Sequence, residues 1–447
     1  MEEILVEVYI PLDFFEYFIW VTYAFIGFVF LYTYKSFREG PLSRFLIPGV
    51  FIKILGGLAF TLVYAYYYAG GDCNYYYYSA NQLVKIFYEQ PLVYYDLINS
   101  NSEEAIKILK EYHYTIHKVQ NEESWALTRI LSPLNILSFN SYLGLTYLTS
   151  MISFFGSFYL FKTIRKIIIG KDKMLFYICF LIPSVTFWGG GVMKDTLTLA
   201  ALNFIIYLFY GILYEKQKII WRMVLSIVPV LIIINLKAYI ILAFLPWLMF
   251  TIFFFYNNKS KNPVAKFLII PYLGIVVMIF AYFSTKTIFD TSQKYQTENI
   301  KGRIEGFRTW HNQLGGSSYD LGEIEYTTTG ILSKVPKAIN VSLFRPYPWE
   351  AGNIMALINS IESQFLLICT LYVFFIVGFR SFFKYVAKSS FLLGGLIFCL
   401  FFAFVTGITS YNFGALSRFK IPLMPIYLFI LYFIYLSKMN KDNVVLD

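Results

Sequence analysis

Apolar runs of about 20 residues follow one another along almost the whole chain, and this pattern admits very few folds. The run "FLLGGLIFCLFFAFVTGITS" (391–410) holds no ionisable group, and "VLIIINL" and "AYIILAFLPW" flank a single lysine, Lys237. Backbone amides in hydrocarbon must bond within the segment, so only helices or closed barrels cross a bilayer. Runs this long without period-two alternation specify helices, and the expected class is an all-α polytopic membrane protein. The composition agrees. Charged residues make up 14%, where soluble chains carry roughly a quarter, and the mean hydropathy is +0.58. The 39 Tyr and 47 Phe gather at run ends, where aromatic rings favour the membrane interface.

The pattern predicts about eleven spans: 10–34, 45–68, 141–161, 174–191, 196–214, 219–235, 238–256, 266–284, 354–379, 389–407 and 420–436. Six short connectors, "KSFREGPLSR", "KTIRKIIIGKDK", "EKQKIIWR", "NNKSKNPVAK", "RSFFKYVAK" and the tail "SKMNKDN", are basic and alternate with the rest. Basic connectors stay in the cytoplasm. The acidic start, unlike a basic secretory leader, is then expected outside and the C-terminus inside, in a multi-pass plasma (bacterial inner) membrane protein. Two larger extracytoplasmic loops follow, 69–140 with amphipathic helices and 285–353, within a single membrane domain covering 1–447.

The net charge of +10 is spread over these connectors and reads as topology, not as a nucleic-acid surface. The connectors are too short for a nucleotide domain and no glycine-rich nucleotide loop occurs. Cys73, Cys179, Cys369 and Cys399 show no metal-ligand spacing, and a disulfide framework is not expected.

The polar features that remain all fall on the expected outer face. "YYYAGGDCNYYYYSANQL" (66–83) places Asp72 after two glycines at a span boundary. It reads either as a helix cap or as a general base or metal carboxylate facing a membrane-borne substrate. In "FWGGGVMKDTL" three glycines interrupt a run before Lys194 and Asp195. These two form a self-satisfied pair, with Asp195 capping a helix from Thr196, or Lys194 offers its ammonium to a lipid phosphate near a positive helix end. Lys237 reads as a snorkelling interfacial lysine or a further phosphate contact. "SLFRPYPWEAGNIMALINSIESQFLL" holds Arg345 in extended chain before Pro346, starts a helix at Glu350 and buries Glu362, which calls for a cationic partner. Arg345 pins the loop or binds phosphate. Arg418, with Lys420 in "SRFKIPLMPIY", is an interface anchor or a bidentate phosphate ligand.

His113 and His117 share an expected helix face without a third ligand at a convincing spacing. Arg303, Arg308 and His311 suit a solvated helix with a glycine exit.

With these residues assembled, the chain resembles the membrane glycosyltransferases of the GT-C fold. It is most similar to the bacterial branch related to protein O-mannosyltransferases and lipid A aminoarabinose transferases. The similarity rests on Asp72 in "GGDCNYY", on "PSVTFWGGGVMKD" and on "SRFKIPLMPIY", in that order and on one expected face. It implies a polyprenyl-phosphate-linked sugar as donor, transfer at the extracytoplasmic face in envelope glycan or glycolipid synthesis, and Asp72 as base or metal carboxylate. Lys194, Asp195, Lys237, Arg345, Glu350 and Arg418 would form the substrate and phosphate site, with a divalent cation (Mg or Mn) as an optional cofactor. The implied partners are the lipid-linked donor and membrane lipid. Three other readings stay open: a repeat-unit polymerase or ligase using lipid pyrophosphates, a lipid-linked oligosaccharide flippase or other transporter, and a non-enzymatic subunit of an envelope complex.

Overall fold

The computed structural model describes residues 10–33, 42–259, 318–322 and 328–439. Among them seven helices are long and apolar enough to cross a membrane, or eight if one bent pair counts as a single span. The architecture is that of a polytopic helical membrane protein. The chain forms two compact units, 1–160 with 185–208 and 220–237, and 161–184 with 209–219 and 238–447.

Unit 1 begins with α1 (Phe14–Thr33) and α2 (Ser43–Leu62), the latter extended by a π-turn over Val63–Tyr67. The next residues form four helices too polar or short to span: α3 (Asp72–Glu89), α4 (Pro91–Asn99), α5 (Ser102–Glu111) and α6 (Glu122–Leu137). Their boundaries follow local chemistry. Asn101 and Glu104 close a reciprocal capping box on α5, Pro91 opens α4, and Asn121 accepts from the Ser124 amide at 3.0 Å to start α6. A small core of Leu83, Val93, Leu97, Ala105, Leu109 and Trp125 lets these helices pack without lipid. α6 leads to α7 (Tyr142–Ile167). Its N-terminus is satisfied from far away: buried Glu16 of α1 accepts from Ser141 Oγ at 2.7 Å and from the amides of Tyr142 and Leu143 at 3.1 and 2.8 Å.

The expected span 174–191 is broken into two short helices, α8 (Asp172–Phe180) and α9 (Pro183–Trp188). Pro183 cannot donate to the preceding turn and restarts the helix instead. The three glycines turn the chain after α9, but Gly190 and Gly191 also serve packing. A Cβ on Gly190 would lie 2.6 Å from the Gly57 nitrogen of α2, and one on Gly191 would lie 2.1 Å from the Phe60 ring. Then α10 (Lys194–Tyr210) begins at Lys194 itself, so Asp195 stands in its first turn and not at its cap. The expected spans 219–235 and 238–256 join in one element of 41 residues, α11 (Ile219–Lys259), broken at Lys237 (φ −154°, ψ 70°). At 41 residues it far exceeds the roughly 20 needed to cross once. The expected break at 235–239 is this kink.

In unit 2, α12 (Thr328–Ser333) and α13 (Val335–Phe344) precede a 3₁₀ turn at Pro348–Glu350. Glu350 does not begin a span: α14 (Ile354–Val377) starts four residues later, capped by Asn353. After α15 (Phe379–Val386) and α16 (Ser390–Thr409), the last expected span, 420–436, corresponds to α18 (Met424–Met439), and a short helix before it, α17 (Phe413–Phe419), meets it at a bend of 68°. Tyr319, Ala338, Val341, Phe413 and Leu416 form the local core there. The expected span 266–284 and Arg303, Arg308 and His311 lie outside the described residues, as does most of the 285–353 loop.

A charged and aromatic cluster as the candidate functional site

Asp72 opens α3 because Gly71 precedes it at φ 141° and ψ −179°, a conformation open to glycine and closed to other residues. A Cβ on Gly71 would also sit 2.6 Å from the Tyr64 ring. Gly71 is the N-cap, so Asp72 stands in the first turn of α3 and not at its cap. Its Oδ1 lies 2.5 Å from Nζ of Lys118, and the two side chains remain 41% and 28% exposed. Lys118 sits in the turn after α5 at φ 57°. Its ammonium stands 4.7 Å from the Tyr75 ring centre and 5.6 Å from that of Tyr76, a cation–π arrangement.

Tyr76 joins this pair to the next. Lys194 Nζ lies 5.7 Å from the same ring and 3.4 Å from Oε2 of Glu123, in the first turn of α6. Asp195 Oδ1 meets Nζ of Lys237 at 2.5 Å, with both side chains under 9% exposed. Lys237 is thus a buried lysine at a helix break and not a snorkelling one. Three lysines meet three carboxylates across α3, the turn before α6, α6, α10 and α11, and Lys118 and Lys194 both stand near the Tyr76 ring. These six groups balance in charge.

Neighbouring groups define what the cluster is not. Burial, chiefly, pushes the Cys73 thiol up to about 12, which leaves it protonated and inert as a nucleophile. His113 has φ 57° and lies beyond the end of α5, so it shares no helix face with His117. The His117 ring packs on Tyr75 and Tyr78, with centroids 6.0 and 5.5 Å away. Among the described residues no three His, Cys, Asp or Glu side chains are placed to hold a metal ion.

Unit 2 holds the remaining candidates. The Arg345 guanidinium is paired with Glu350, its Nε 3.0 Å from Oε2, which also accepts from the Tyr347 amide at 2.8 Å. Burial raises the Glu350 pKa, but the Arg345 hydrogen bond, the Tyr347 amide and the Arg345 charge together outweigh it and hold the group below its ordinary value. The Arg345 carbonyl accepts from Ser363 Oγ at 3.0 Å, and Ser363 Oγ in turn accepts from buried Lys420 Nζ at 3.0 Å. Lys420 also interacts electrostatically with Glu362, the cationic partner this carboxylate calls for. Arg418 is half-buried on α17, its guanidinium 5.0 Å from the Phe419 ring centre. Tyr347 and Trp349 stack at 5.0 Å, with Trp349 81% exposed.

Sequence reasoning missed Lys118, Glu123 and Lys53. Lys53 is wholly buried on α2, its Nζ 3.4 Å from the Val185 carbonyl, and a lysine in the middle of an apolar run was a visible signal. Lys118 and Glu123 stand among ordinary loop charges and carried none. No protein-family model, curated protein or solved structure matches the chain.

Proposed function

We propose that the chain is a GT-C-like glycosyltransferase. It moves a sugar from a polyprenyl-phosphate donor to an acceptor hydroxyl at the extracytoplasmic face of a plasma membrane. The observation that supports this most is the setting of Asp72: a part-exposed carboxylate paired with Lys118, whose ammonium stands against the Tyr75 and Tyr76 rings, with Lys194 5.7 Å from the centre of the Tyr76 ring. In the reaction the acceptor oxygen forms a bond to the anomeric carbon as the bond from that carbon to the phosphate oxygen breaks. The electron pair departs with the polyprenyl phosphate, and the acceptor proton passes to Asp72. Protonation removes one of the three carboxylate charges, so the cluster gains a net positive charge as the phosphate gains negative charge. Lys118, released from its partner, and Lys194 are the groups that would stabilise it.

Proteoliposomes containing the full chain and a polyprenyl-phosphate hexose test the proposal through release of free polyprenyl phosphate. Asp72→Asn should lower the rate by about 10²–10⁴, the usual range for losing a general base, at unchanged expression. Wild-type protein that consumes no such donor, or Asp72→Asn that keeps full activity, would overturn it. The helix break at Lys237 with its buried Asp195 partner favours a second reading, a carrier of lipid-linked anions. A fluorescent lipid-linked sugar crossing vesicles without covalent change would select that one.

A further inference from the structure

An apolar slot of about 460 Å³ lies within unit 2 between α8, α14 and α18. On α14 its wall runs from Glu362 through Leu366 and Cys369 to Val373, and on α18 from Met424 to Tyr435. Eleven helical steps make it about 16 Å long, close to half of a hydrocarbon core of roughly 30 Å. A methylene fills about the volume of a water molecule, near 30 Å³, so the slot holds about fifteen of them. That is one acyl chain. A carrier isoprenoid of fifty or more carbons exceeds it several-fold.

The two ends differ. At one, Glu362 accepts from the buried Ser184 amide at 2.7 Å, which turns that carboxylate oxygen toward protein. At the other end Tyr177, Tyr372, Tyr432 and Tyr435 gather, the residue type of the membrane interface. Exposed Lys173 precedes the lining residue Met174, and exposed Lys438 follows Tyr435 by three positions. Cations at an interface attract anionic headgroups. We propose that the slot seats one acyl chain of an anionic phospholipid, its methyl end toward Glu362 and its phosphate at Lys173 and Lys438. This site is independent of the glycosyl-transfer reading.

The test reconstitutes the full chain in nanodiscs of phosphatidylcholine doped with phosphatidylglycerol carrying a diazirine near the end of a palmitoyl-length chain. After photolysis, adducts should map to the slot walls on α8, α14 and α18. Cys369→Trp, which fills the slot, should lower labelling about tenfold. Leu371→Trp, on the exposed face of the same helix, should leave it unchanged. Lys173→Gln with Lys438→Gln, both exposed and safe for folding, should lower the preference over a phosphatidylcholine probe of the same chain by about tenfold. Adducts spread evenly over outward residues such as Phe375, equal labelling of Cys369→Trp, or no headgroup preference to lose would each overturn the proposal.

Discussion

The Asp195–Lys237 pair gives the sharpest energetic prediction. Its atoms are 2.5 Å apart and the side chains 4% and 8% exposed, so neither charge is compensated by water. Removing one partner takes from the other the opposite charge at 2.5 Å, and breaking a buried pair in this way costs about 3–5 kcal/mol. Removing both also removes the desolvation penalty and costs much less. Asp195→Asn and Lys237→Met should therefore each destabilise by about that amount. At about 2–4 °C per kcal/mol for chains of a few hundred residues, this lowers Tm by roughly 6–20 °C. The double variant should lie much closer to wild type than the sum of the singles. Thermal unfolding in one detergent, with all four proteins run together, measures the coupling. A coupling energy below about 0.5 kcal/mol, the level of independent sites, would refute the view that these two groups hold each other in a dry interior.

Three further outcomes follow from the geometry. Asp72→Asn should shift stability by no more than about 1 kcal/mol, because its pair with Lys118 is part-exposed, so circular dichroism melts should overlay while transfer is lost. Gly71→Ala should destabilise by at least about 1–3 kcal/mol, for it forces a Cβ into both a left-handed backbone and the Tyr64 ring, and a denaturant titration would show it. Glu350 has a folded pKa below its ordinary 4.5. Its contribution is thus present above that value and lost as pH falls through the lowered one. Glu350→Gln should flatten the loss of stability on acidification below about 4.5, read as Tm against pH.

Where the apolar pattern was uninterrupted, sequence and structure agree. Ser43–Leu62, Tyr142–Ile167 and Ser390–Thr409 are read from hydropathy because hydrocarbon leaves the backbone no alternative. Interrupted runs were less legible. Hydropathy over 174–191 is high throughout, yet Pro183 and the close approach of Gly190 to Gly57 divide it into short pieces. Those are a local backbone constraint and a distant packing constraint, and a running average sees neither. The candidate site shows the same limit. Asp72, Lys194, Asp195 and Lys237 stood out as charges beside apolar runs, but the partners of Asp72 and Lys194 did not. Lys118 is 46 positions from Asp72 and Glu123 is 71 from Lys194. Such pairings depend on how α3, α6 and α10 pack, and no local spacing encodes them.

The carboxylate of Glu16 has a consequence for biogenesis. Its backbone donors lie 126 and 127 positions downstream, so at synthesis rates of about 5–20 residues per second it waits roughly 6–25 s for them. During that interval the first helix leaves the ribosome with an anion near its leading end and few protein neighbours. The bonds that seat Glu16 form only once the segment at 141–143 has been made. Chains truncated before that point should leave the first helix undocked and open to protease, even though its own greasy stretch is intact.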